Sequence, residues 1–105
     1  VAVTEFKEGM IPMTTVRCEL VEPGQREDYR TVGVKSADGH LEYVSLEERF
    51  LEQRGQEWFL PVLLIIRPGK GVNKALVQLP FEADSGAKRV WVPADSVEEE
   101  AEVTA

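Results

Sequence analysis

The chain is poor in the residue types on which most site chemistry depends. Its 105 residues include one cysteine and one histidine. A single thiol, Cys18, cannot close an internal disulfide, so the fold must stand on packing, and a reducing compartment, the cytoplasm, is the expected home. Cys18 and His40 stand 22 positions apart and lack the close spacing of a zinc or metalloprotease motif. No metal, other cofactor or catalytic residue is expected. Cys18 reads as a small buried hydrophobe and His40 as a solvated hairpin residue rather than a base.

Long apolar runs are also missing. The longest, Trp58 to Ile66, is broken by Pro61 and falls far short of the ~20 residues of a membrane-spanning helix. The chain opens without a basic-then-apolar leader, and no membrane association is expected. Nor is there an excess of positive charge: the formal net charge is -7. Its long-range field disfavours a surface given over wholly to nucleic acid or anionic lipid.

What is present is β-forming sequence in short pieces. Met13 to Glu22 alternates, with Val16, Cys18 and Leu20 on one side and Thr15, Arg17 and Glu19 on the other, as a half-buried strand does. Pro23-Gly24 ends it. Tyr29 to Ser36 alternates again, and Asp38-Gly39 supplies a tight turn to a returning strand, His40 to Val44. Ser45-Leu46-Glu47-Glu48 fits a capping box, Leu46, Phe50 and Leu51 share a helical flank, and Gly55 fits a left-handed stop. A helix is therefore expected over 45–54. Glu57 to Arg67 reads as a strand covered on both faces and bent at Pro61. Strands over 73–80 and 87–92 follow, separated by the acidic loop Glu82 to Gly86.

This order predicts a mostly β fold: a small five- to six-stranded barrel or sandwich with one short helix between strands three and four. Residues 13–97 form the single β-rich domain. Residues 1–12, which precede the first alternating segment, are an N-terminal extension, and residues 98–105 are an acidic disordered tail.

Two motifs fail on inspection. Arg67-Pro68-Gly69-Lys70-Gly71 has the glycine and lysine of a phosphate loop. Leu64 stands where the leading glycine belongs, and Gly71 where Ser or Thr must follow the lysine. The loop Glu82 to Gly86 is too short and too poor in oxygen ligands for an EF-hand.

The remaining signal concerns binding. Residues 57–93 carry 5 basic and 3 acidic side chains, against 0 and 5 in residues 94–105. Arg67, Lys70 and Lys74 surround one turn, and Lys88 and Arg89 open the last expected strand. A fold that joins them would set a basic patch beside Trp91 or Trp58. Trp91 alternates with Val90 and Val92, so burial of the valines turns the indole outward. The sequence thus points to a non-catalytic small β-barrel interaction domain contacting a protein partner or its own copy, through Trp91 and Trp58. The alternative is a nucleic-acid-binding barrel using Arg67, Lys70 and Lys74 with Lys88 and Arg89.

Overall fold

The computed structural model describes residues 14–99. The expectations for residues 1–12 and for residues 100–105 lie outside the described residues. Within them the chain runs as β1 (Thr14–Arg17), β2 (Leu20–Pro23), β3 (Tyr29–Lys35), β4 (Leu41–Glu47), β5 (Glu52–Arg54), β6 (Glu57–Ile66), β7 (Lys74–Gln78), β8 (Arg89–Pro93) and β9 (Val97–Glu99). All pairings are antiparallel.

The strands make two sheets. One follows the order β8-β7-β6-β1-β9, with β5 also paired to β6, and the other is the meander β2-β3-β4. Neither closes into a barrel, which corrects the barrel alternative. Single backbone bonds, not a ladder, cross the seam between the sheets: Ala37 N–H donates to the Trp91 carbonyl at 2.7 Å and Asp84 N–H to that of Tyr43 at 2.8 Å. The first alternating segment is also not one strand. Cys18 N–H bonds to the Trp58 carbonyl in one sheet, and Glu19 N–H bonds to that of Gly33 in the other. The chain changes sheets between these two residues, a corner that lets both inner faces share one core.

That core is aliphatic. Val16 and Leu60 from the larger sheet and Val32, Val34, Val44 and Leu46 from the smaller are buried, together with Ala75, Val77, Leu79, Val90 and Val92. Full burial of each Val or Leu stabilises the fold by about 1.5–3 kcal/mol. Tight turns hold the strands in register. A Cβ on Gly24 would lie 2.6 Å from that of Tyr29, where the β2–β3 loop closes on itself.

The helix expected over 45–54 does not form. β4 continues through Ser45 to Glu47, a 3-10 turn occupies Glu48–Phe50, and β5 follows. The residues of the capping box obey a period of two more closely than a helical period. Val44 and Leu46 are buried, and Ser45 faces out to bond Thr31 Oγ1 at 3.0 Å across the hairpin. Seven paired positions with β3 outweigh the local cap. Gly55 does take positive φ, at 64°, but as the turn between β5 and β6. At the other end, Glu98 and Glu99 are not part of a disordered tail: they pair with Thr15 and Thr14 in β9, and their carboxylates accept from Arg54 and Arg67.

β6 is the frame for the candidate site. Its first half pairs with β1 and β5, and its second half, from Leu63, pairs with β7 through an irregularity near Ile65. The expectation that β6 is covered on both faces holds only for the first half. There the outward Phe59 is 3% exposed, and the Arg54 guanidinium lies 3.9 Å from its ring centroid. Beyond Val62 nothing comparable lies over the outer face among the described residues: Leu63, Ile65 and Ile66 are exposed.

Candidate functional site

Strand alternation places the site. Ala75 and Val77 of β7 and Val90 and Val92 of β8 point into the core, which turns Lys74, Leu76, Gln78, Arg89 and Trp91 onto the outer face. Register then sets them in rows. Ile66, Leu76 and Trp91 stand side by side across three strands, Leu63, Gln78 and Arg89 make a second row, and Lys74 faces Pro93 in a third. The middle row is an apolar surface on which Ile66 is 46% and Trp91 37% exposed. Leu76 is half-buried between them. The Lys74 ammonium lies 4.9 Å from the Trp91 ring centroid, close enough for a cation–π contact.

The basic residues do not gather into one patch. Arg67, Lys70 and Lys74 lie at the start of β7, whereas Lys88 and Arg89 lie at its far end, a separation of about 14 Å along a four-residue rise. Arg67 is engaged by Glu99. Arg89 Nε donates to Gln78 Oε1 at 3.1 Å, a neutral partner. Among the described residues, Lys70, Lys74, Lys88 and Arg89 form no ion pair.

Trp58 belongs elsewhere. It shares the inner side of β6 with Leu60 and Val62 and is half-buried at the opposite end of the strand. Arg30 lies over its ring at 5.8 Å while donating to Glu48 Oε1 at 3.0 Å. A shallow cleft of about 460 Å³ borders it, walled by Leu51 and Gln53, by the acidic Asp28, Glu47 and Glu48, and by Arg49. A second, of about 420 Å³, includes Cys18. Burial pushes the Cys18 thiol up to about 12, away from the thiolate a nucleophile needs.

His40 is more structured than its place beside a turn suggests. Its Nδ1 lies 2.7 Å from Asp38 Oδ1 and its Nε2 lies 2.7 Å from Glu42 Oε2. A ring with carboxylates at both nitrogens must donate from both, so this geometry holds the imidazolium. Glu42 first and Asp38 second raise the His40 pKa above its ordinary value. Glu42, nearly buried, also accepts from Ser85 Oγ at 2.7 Å, and Ser85 and then His40 lower its pKa. Buried Ser36 donates to Asp38 and accepts from the His40 backbone N–H at 3.2 Å. The set ties the β3–β4 turn to the β7–β8 loop. With both ring nitrogens occupied by carboxylates, His40 does not serve Cys18 as a base. The spacing Asp38-x-His40-x-Glu42, two residues of the turn leading into the start of β4, is the signal that sequence reasoning passed over.

Among the described residues, no group of three or more His, Cys, Asp or Glu side chains is arranged to hold a metal ion. No described helix is long and apolar enough to cross a membrane. In comparisons with family models, curated proteins and solved structures, nothing matches the chain.

Proposed function

We propose that the chain is a non-catalytic interaction domain, a sandwich-like β fold that meets a protein partner through the outer face of β6, β7 and β8. One observation carries this reading: the aligned row Ile66–Leu76–Trp91, left exposed on a sheet whose other half is closed by Arg54 over Phe59. Contiguous exposed apolar side chains with polar neighbours mark interaction surfaces, and tryptophan is prominent among the residues that dominate them. The half-buried, unpaired thiol of Cys18 fits a reducing compartment, the cytoplasm. The nucleic-acid reading has less support, because the cations divide between two ends of the hairpin and Arg67 already has a carboxylate.

The test is site-resolved photo-crosslinking in the cells that make the protein. A photoreactive residue replacing Leu76 is expected to give a discrete protein adduct that Trp91→Ala abolishes, while one replacing Gln25, exposed on the β2–β3 loop, gives none. No adduct from position 76, or one indifferent to Trp91, contradicts the proposal.

A further inference from the structure

We infer that the occupant of the Trp91 face is an extended stretch of a partner protein with an apolar side chain flanked by acids, in the order acid-x-apolar-x-acid. This rests on the proposed contact surface and specifies what it recognises.

The rows described above set the pattern. The apolar row Ile66–Leu76–Trp91 lies between the row that carries Lys74 and the row that carries Arg89. Each is two residues from it, which is about 7 Å along the strands. A partner segment in extended conformation repeats its side chains on one side at that same two-residue rise. An apolar side chain over Leu76 and Ile66 therefore sets its second neighbours over the rows from which the two cations extend, with the Lys74 ammonium, now over the indole, within reach of one of them. Those cations lack carboxylate partners among the described residues: Lys74 rests on the indole and Arg89 on the Gln78 amide. Lys88, exposed next to Arg89, adds a further positive charge at that end.

Three alternatives fit less well. A second copy docked face to face through a two-fold axis repeats the same cations on both sides of the contact, and like charges across an interface oppose binding. A nucleic acid needs donors for its phosphates along the whole contact and finds the apolar Ile66 and Leu76 in the middle row. Addition of a strand to the free edge of β8 is opposed by Ala37, whose N–H already occupies the Trp91 carbonyl at 2.7 Å. The occupant is thus held by side chains on the face.

The experiment measures binding of labelled synthetic peptides to the full chain by fluorescence anisotropy. The probes share one scaffold with the core Glu-Thr-Leu-Thr-Glu, with Gln for both Glu, with Lys for both Glu, or with Ser for Leu. An oligothymidylate is included. The Glu probe is expected to bind about tenfold or more tightly than the Gln or Ser probe, and weakly or not at all to Trp91→Ala. The double variant Lys74→Glu/Arg89→Glu, altered only at exposed positions, is expected to invert the preference and select the Lys probe. Equal binding of the Glu and Gln probes overturns the charge pattern while leaving the apolar contact standing. Binding that ignores Trp91→Ala, or no binding by any probe, overturns both. Tighter binding of the oligothymidylate, or a concentration-dependent dimer in sedimentation that Trp91→Ala dissociates, assigns the face to a different occupant and overturns the inference.

Discussion

Trp91 and Leu60 show how one residue property, the direction of a side chain, divides stability from recognition. Leu60 is fully buried between the sheets, and Trp91 stands beside Leu76 with the Lys74 ammonium over its ring and a third of its surface in solvent. Removing the indole leaves no cavity, whereas truncating Leu60 leaves one that the aliphatic core fills only in part. Denaturant unfolding is expected to show Trp91→Ala within about 1 kcal/mol of the parent and Leu60→Ala destabilised by about 2–5 kcal/mol. A large loss for Trp91→Ala would mean that the indole is part of the core. The outward turn of Trp91 was legible from Val90 and Val92 on either side of it. The separation of Trp58 from it was not, because both tryptophans lie in β-rich segments and only the long path of β6 sets them on opposite sides and at different ends.

At the scale of elements, the hairpin β3–β4 was readable and its continuation was not. The Asp38-Gly39 turn forms, with Gly39 at φ 97°. The same segment hides a proton-dependent clasp that links this turn to the β7–β8 loop through Glu42 and Ser85. His40 has a raised folded-state pKa, so its contribution is fully present below the unfolded value of about 6.5 and is lost as pH rises through the folded value. Glu42 has a lowered pKa, so its contribution is present above the unfolded value of about 4.3 and is lost as pH falls through the folded one. The clasp is therefore strongest between these limits. Melting curves are expected to show the parent losing more stability than His40→Gln as pH rises from about 5.5 to about 8.5. Identical pH profiles would show that the His40 proton does not help hold the turn. The helix expected over 45–54 failed for a reason of the same scale. Ser45 and Glu48 satisfy a helix start locally, but Val44 and Leu46 can both reach the core only on a strand, and the pairing with β3 decides.

For the molecule as a whole, the sequence shows short strands and a basic middle between acidic ends, but not how two sheets meet. That depends on contacts remote in the chain. The corner at Cys18 and Glu19 looks like continuous alternation in sequence, and the role of Glu98 and Glu99 becomes visible only when β9 lies beside β1 and within reach of Arg54 and Arg67. Glu99 engages Arg67 and Arg54 covers Phe59, and among the described residues the β6–β7–β8 face is the open part of the sheet. The most direct test of that face as the recognition surface uses its own tryptophan. With Trp58→Phe, Trp91 becomes the sole indole, and titration with the Glu-Thr-Leu-Thr-Glu peptide is expected to shift its emission to shorter wavelength as solvent is excluded, with saturation at the affinity found by anisotropy. Unchanged Trp91 emission at saturating peptide, with a shift instead in the reciprocal Trp91→Phe protein that keeps Trp58, would contradict the account and place recognition at the Trp58 cleft.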